Sequence, residues 1–215
     1  MTARLATHPD IARLTRRVLR QLRDVGMDVD FVGEFDAEDP FASLRAHEID
    51  MALVGLNGIA SIVRGEFTAV AVLPRMEARD VLVSLEARVK SLSELSPGTA
   101  VGVAGPRRRG LLAAHRPDLV PHELGAEFFR DMTEREGVLE HSLAVAGVEI
   151  PEMLILNALD AQEIGLRDEA VEALDPKSWF PEPGQGALAL VARHPIAEAT
   201  ALDHLPTRTA LRTEL

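Results

Sequence analysis

The chain has 215 residues, 47% hydrophobic and 27% charged, which is typical of a globular protein with one large or two small domains. The 34 acidic and 23 basic side chains give a net charge of −11, which excludes a general nucleic-acid binder, so an anion site must be local. The absence of cysteine excludes disulfides and thiolate chemistry, and without a signal-type or membrane-spanning apolar run we expect a cytoplasmic protein.

The first elements predicted are a strand and an amphipathic helix. The strand is expected at Ala3–Thr7, and Asp10 is placed to cap the helix that follows. Apolar residues recur there at steps of three and four until Gly26, namely Ile11, Leu14, Val18, Leu22 and Val25. The other faces carry Arg13, Arg16, Arg17, Arg20 and Arg23. We interpret them as a solvated face, and a docking surface for an acidic partner is the alternative.

Further strands are predicted at 28–35, 49–55, 67–73, 81–84, 99–104, 153–159 and 186–192. Helices are expected near 41–46 and 86–95, and a third is opened by Pro106, since proline fits the first helical position. Ser96-Pro97-Gly98 predicts a turn. Strands alternating with helices predict an α/β fold with mostly parallel sheets and helices on both faces.

Several segments of the chain resemble porphobilinogen deaminases (hydroxymethylbilane synthases), in the same order. They are RLATH at 4–8, LRAHEIDMAL at 44–53, LPRMEARDVLVS at 73–84, SPGTAVGVAGPRRRGLLAAHRPDL at 96–119 and FPEPGQGALALVAR at 180–193. The stretch LDHLPTRTALRTEL at 202–215 is similar to the first helix of the family's third domain, whereas residues 120–147 align poorly.

The resemblance implies an α/β fold of two similar domains with type II periplasmic-binding-protein-like architecture and an interdomain cleft. Domain 1 is expected at 1–75 plus 184–203 and domain 2 at 80–180. Residues 204–215 are then the remnant of a third domain that is otherwise missing.

The same resemblance implies two crossings between the domains, near 74–80 and 179–184. Gly184 and Gly186 suit a hinge there, because glycine adopts backbone angles that other residues avoid. An ordinary turn before a strand is the alternative. We expect Trp179 to pack between the domains rather than to stack on a ligand.

In the family, a dipyrromethane primer on a third-domain cysteine is extended by porphobilinogen units, and an aspartate stabilises positive charge on the pyrrole nitrogens. Here Asn57 and Gly58 stand at the Lys and Asp positions of the catalytic loop, so the resemblance implies that no catalytic residue of that loop is retained. With no cysteine in the sequence, we expect no dipyrromethane cofactor.

The family's anion-binding motif T-S-S-L-R-R corresponds to V-A-G-P-R-R at 103–108, which keeps Arg107 and Arg108. Both follow a predicted strand at a helix start, where free N–H groups favour an anion, so we expect them to bind a carboxylate. Surface arginines on a solvated turn are the alternative. On the resemblance, His8 replaces the family's opening arginine and Arg135 a later one, and both are ligand-binding candidates. The histidines show no metal-ligand spacing, so no metal is expected.

Three functions remain open. The first is a divergent, deaminase-like enzyme of tetrapyrrole biosynthesis that cannot complete the tetrapolymerisation alone and binds a small carboxylate or pyrrole-carboxylate ligand. The second is a non-catalytic sensor of a small ligand, and the third is a subunit whose partner supplies the third domain. We expect a small anionic ligand and neither nucleic acid nor membrane as partners, with a homo-oligomer or a partner subunit left open.

Overall fold

The computed structural model describes residues 2–8, 11–35, 41–56, 67–85, 89–134, 144–145 and 148–193. The chain divides into two compact units, Met1–Met76 with Pro183–Leu215 and Glu77–Glu182. The first unit is therefore built from two separate stretches of chain, and the second from one.

The elements are numbered in chain order. The strands are β1 (Ala3–Thr7), β2 (Val29–Glu34), β3 (Met51–Gly55), β4 (Thr68–Val72), β5 (Asp80–Ser84), β6 (Ala100–Val103), β7 (Val120–Glu123), β8 (Ala144–Val145), β9 (Val148–Glu149), β10 (Met153–Asn157), β11 (Ala170–Ala173) and β12 (Leu188–Ala192). The helices are α1 (Ala12–Asp24), α2 (Ala42–Arg45), α3 (Gly105–His115), α4 (Ala126–Glu134) and α5 (Ala158–Glu163). Among the described residues, no helix is both long and apolar enough to cross a membrane.

The sheet of the first unit has the strand order β2-β1-β3-β12-β4. Strand β1 pairs in parallel with β2 and β3, and β12 pairs antiparallel with β3 and β4. All five residues of β12 are buried, as expected of an apolar run in the interior of a sheet. The apolar face predicted for α1 is confirmed by the burial of Leu14, Val18 and Leu22. Asp10, its expected cap, lies outside the described residues, and Ile11 occupies the N-cap position.

The sheet of the second unit has the order β11-β5-β10-β6-β7. Strand β5 pairs antiparallel with β10 and β11, whereas β6 pairs in parallel with β10 and β7. In each sheet four of the five strands run in the same direction and one runs against them, β12 in the first unit and β5 in the second, so the expectation of mostly parallel sheets is confirmed. The sequence does not reveal which strand is reversed, since an apolar strand inside a sheet has the same composition in either direction.

Two elements of the structure differ from those predicted. The helix expected at 86–95 is wrong within its described part, which forms only one 3-10 turn at Leu92–Glu94. Ser91 is extended before that turn, and serine competes for local hydrogen bonds in a way that disfavours helix interiors. Strand β10 ends at Asn157 rather than at residue 159, because the Asn157 side chain accepts a hydrogen bond from Asp160 N at 2.8 Å and caps α5.

Candidate functional site

The junction between β6 and α3 in the second unit contains the predicted anion-binding arginines. The helix begins at Gly105 with Pro106 in its first turn, so the predicted helix start is confirmed. Gly105 has φ +83°, a left-handed conformation that turns the chain abruptly from strand to helix. This turn brings Arg107 and Arg108 to the end of the strand.

The centre of the site is a carboxylate that the sequence analysis did not single out. Asp80, the first residue of β5, has no exposed surface. Its side chain accepts hydrogen bonds from Arg107 Nη2 at 2.7 Å, Arg108 Nε at 3.0 Å and Trp179 Nε1 at 2.8 Å. Asp80 therefore joins the start of β5 to the first turn of α3 and to the segment that follows β11.

Arg108 is a buried partner of this carboxylate. It is only 6% exposed, and its Nη1 also donates to the carbonyl oxygen of Ala104 at 2.9 Å. A buried ion pair is stable only when its polar atoms are satisfied, and both partners here have several hydrogen bonds. Arg108 therefore holds the helix start against Asp80, and its use in ligand binding stays a prediction.

Arg107 lies closer to the surface, with 19% of its side chain exposed. Besides bonding to Asp80, it donates from Nη1 to the carbonyl oxygen of Phe180. Its Nε lies 3.5 Å from Oε1 of Glu182, whose side chain is 38% exposed. The guanidinium thus has a buried carboxylate on one side and a solvent-accessible carboxylate on the other.

A further carboxylate meets the start of α3. Oε1 of Glu123, the last residue of β7, accepts a hydrogen bond from the backbone N–H of Gly105 at 2.8 Å. The N-terminus of a helix favours negative charge because its first N–H groups lack intrahelical partners. Besides the buried Asp80, the first turn of α3 is therefore in contact with two solvent-accessible carboxylates, Glu123 and Glu182.

The expectation that Trp179 packs between the domains is wrong for its indole ring. The ring belongs to the apolar core of the second unit, together with residues such as Val103 and Leu112. It also stacks on His115 with ring centroids 5.6 Å apart. A tryptophan with one buried polar partner suits such a position, because its N–H can bond to Asp80 while the ring fills the core.

The other predicted site residues fall elsewhere or outside the described part. His8 lies in the first unit at the end of β1, where its backbone N–H bonds to Leu53 O at 3.0 Å and its ring meets Phe35 edge-on. Asn57, Gly58 and Arg135 lie outside the described residues.

The two proposed hinge glycines belong to the turn that precedes β12. Gly184 and Gly186 have φ +78° and +80°, so both positions require the backbone freedom of glycine. Gly186 O accepts a hydrogen bond from Met76 N at 2.7 Å, and Gly184 O accepts one from Ala187 N at 3.0 Å. The geometry of this turn is enough to explain why glycine occupies both positions, and a hinge motion stays a prediction.

The segment just before Asp80 holds an ion pair near the surface. Nη2 of Arg79 lies 2.6 Å from Oε2 of Glu77. Hydrogen bonds from the Arg79 side chain lower the pKa of Glu77 to about 2. This carboxylate is therefore ionised well below the range in which a glutamate ordinarily titrates.

Solved structures share the fold of this chain. A putative methionine-binding lipoprotein from Bacillus subtilis superposes with a TM-score of 0.60 at 12% identity, over 97% of this chain and 91% of that one. The methionine binding protein MetQ gives a TM-score of 0.55 at 17% identity, over 94% of this chain and 87% of that one. A nutrient binding protein from Burkholderia cenocepacia bound to methionine gives 0.58 at 14% identity, over 95% and 91%. The predicted type II periplasmic-binding-protein-like architecture is confirmed.

Sequence relationships are more specific. The family model described as "Porphobilinogen deaminase, dipyromethane cofactor binding domain" matches residues 16–201. The porphobilinogen deaminase of Thermobifida fusca is 32% identical over 208 residues, which cover 94% of this chain and 58% of that protein. That of Thermus thermophilus is 33% identical over 176 residues, covering 80% and 54%. The chain spans about half the length of the curated relatives it matches. It belongs to the porphobilinogen deaminase family.

Proposed function

We propose that this chain is a divergent porphobilinogen deaminase-family protein that binds a small carboxylate ligand through Arg107. We further propose that it does not polymerise porphobilinogen by itself. The observation that supports ligand binding is the contact of the first turn of α3 with Glu123 and Glu182, two carboxylates that lie near the surface.

The two carboxylates indicate which chemical group the first turn of α3 can bind. Gly105 supplies a backbone N–H that donates to one carboxylate oxygen of Glu123, and Arg107 supplies a guanidinium, whose planar geometry matches a carboxylate. Because Glu182 lies 3.5 Å from Arg107 Nε and is partly exposed, a ligand carboxylate can take its place at little desolvation cost. The buried Asp80 cannot be replaced in this way, so it fixes the guanidinium in position.

The two arginines consequently have different proposed roles. Arg107 contacts the ligand, since it alone combines a bond to Asp80 with an exposed edge. Arg108 is a positioning residue that holds Asp80 and the helix start. His8 and Arg135 are further proposed contacts that rest on the family resemblance alone.

The proposed lack of polymerisation rests on the sequence of the catalytic loop. Gly58 stands where the resemblance places the family's catalytic aspartate, and glycine has no charge to stabilise a developing cation. The 215 residues also contain no cysteine to which a dipyrromethane could be attached. A ligand with the carboxylates of porphobilinogen can still bind without being joined to a growing chain.

Titration calorimetry with porphobilinogen tests the ligand site. One charge-assisted hydrogen bond contributes about 1.5–3 kcal/mol, so Arg107→Gln should weaken binding by roughly 10- to 150-fold. Arg109→Gln is the matched control, because it removes the same charge from an exposed position two residues along α3. Equal affinities of the parent and the Arg107→Gln protein, with circular dichroism showing both folded, would refute the assignment.

Incubation with porphobilinogen tests the chemical part of the proposal. We expect no hydroxymethylbilane from the parent chain, and none from Gly58→Asp, because restoring one carboxylate does not supply a primer. Steady turnover near 1 per second, as in an ordinary enzyme, would overturn this proposal.

A further inference from the structure

The helix α1 and the strand β2 form a continuous stretch of chain in which opposite charges are separated. Residues 12–23 contain five arginines and no acidic residue. Residues 24–39 contain seven acidic residues and no basic one, namely Asp24, Asp28, Asp30, Glu34, Asp36, Glu38 and Asp39. Such a distribution differs from the mixed charges of an ordinary solvated surface.

The arginines of α1 lie on one face. At about 100° per residue, Arg16, Arg17, Arg20 and Arg23 fall within an arc of roughly 120° on the helix circumference. All four are exposed, and the buried residues of the helix lie on the opposite side. Among the described residues, no ion pair involves any of the four. We call these four residues the arginine face.

Acidic residues that follow α1 in the sequence lie on and beside an edge strand of the sheet. Strand β2 is an edge strand of the first unit, and Asp28, Asp30 and Glu34 are exposed. Phe31 and Val32 are also exposed, at 41% and 49%, which is unusual for large apolar side chains on adjacent positions. We call residues 28–34 the acidic edge.

The occupant that fits both surfaces is a second copy of this chain. A symmetric dimer uses the same surface twice, so the arginine face of each copy can meet the acidic edge of the other. Burial of Phe31 and Val32 would add an apolar centre to a polar rim, as in ordinary interfaces. Nucleic acid and anionic membranes fit less well, because the chain as a whole has a net charge of −11 and repels them.

The contact must use side chains rather than a continuous sheet. Leu5 and Ala6 of β1 pair with Phe31 and Gly33, so Val32 is an extra residue that forms a bulge in β2. Bulges on edge strands disrupt the ladder and oppose the addition of another strand. We propose that the chain forms a homodimer in which the arginine face of one copy docks on the acidic edge of the other.

Sedimentation velocity of paired charge-reversal variants tests this dimer. The parent should dimerise at low ionic strength, and raising the salt from about 50 to 500 mM should weaken the dimer at least about tenfold, because exposed ion pairs are screened. Arg16→Glu with Arg20→Glu should weaken it by about 100-fold or more, and so should Asp28→Arg with Asp30→Arg. Arg109→Glu with Lys177→Glu, on exposed positions of the second unit, should leave it unchanged.

The decisive step is to mix the two charge-reversed proteins. Each repels its own copies, whereas both contacts become attractive in the mixed dimer, so mixing should restore the dimer of the parent. This readout depends on complementarity and not on the folding of one variant alone. A parent that stays monomeric at low salt, reversals without effect, or a mixture that stays monomeric would each overturn the proposal.

Discussion

The buried carboxylate Asp80 gives the sharpest test of how the second unit is held together. Asp80→Asn keeps the shape of the side chain but removes the charge that faces Arg108, which is only 6% exposed. Removing one partner of a buried pair costs about 3–5 kcal/mol, because the remaining charge stays buried without compensation. With a typical urea m-value of about 2 kcal/mol/M, the unfolding midpoint should fall by about 1.5–2.5 M.

Intrinsic fluorescence is a suitable assay, because the chain contains one tryptophan and Trp179 donates directly to Asp80. Asp118→Asn is the matched control in the same unit, since Asp118 pairs with Arg116 near the surface, where solvent screens the pair and its loss should change the stability little. Adding Arg108→Met to Asp80→Asn should recover part of the loss, because it removes the uncompensated charge. Equal destabilisation by Asp80→Asn and Asp118→Asn would refute this reasoning.

Two further predictions concern packing and pH. Gly102→Ala should destabilise the second unit by about 1–3 kcal/mol, because a Cβ there would lie 2.6 Å from a leucine methyl group on β10. Gly110→Ala in α3, with open space around its Cβ, should instead be neutral or stabilising by up to about 1 kcal/mol, and urea unfolding compares the two. Because Arg79 lowers the pKa of Glu77 to about 2 in the folded state, this carboxylate stabilises the protein above about pH 4.5 and loses that effect as pH falls towards 2. Glu77→Gln should therefore reduce the loss of unfolding free energy between pH 4.5 and 2, by under about 1 kcal/mol because the pair is exposed. Thermal unfolding at several pH values measures this, and a pH profile equal to that of the parent would contradict it.

The junction of β6 and α3 was predictable because its signals are local. An apolar run, a glycine and a proline within a few positions specify a strand, a turn and a helix start in that order. The partner of Arg108 was not predictable, because Asp80 lies 28 residues away in the sequence and Trp179 lies 99 residues from Asp80. The motif alone predicts Arg108 as a ligand-binding residue, and only the tertiary structure shows that it is buried.

The direction of individual strands was the other feature that the sequence did not predict. The apolar runs located β5, β10 and β12 within a few residues, because each is buried on both faces. They did not indicate that β12 runs antiparallel to β3 or that β5 runs antiparallel to β10. Direction depends on how the chain returns to each sheet, and short-range patterns do not encode this.

The position of β12 between β3 and β4 also determines the order in which the chain can fold during synthesis. The sheet of the first unit has a gap until Leu188–Ala192 has left the ribosome, whereas the second unit is complete once Glu182 has emerged. In a growing chain β3 and β4 therefore each keep an unpaired edge while more than a hundred residues are added after β4. The second unit is made from one stretch that precedes β12, so it is positioned to fold first, and the first unit is completed when β12 inserts between β3 and β4.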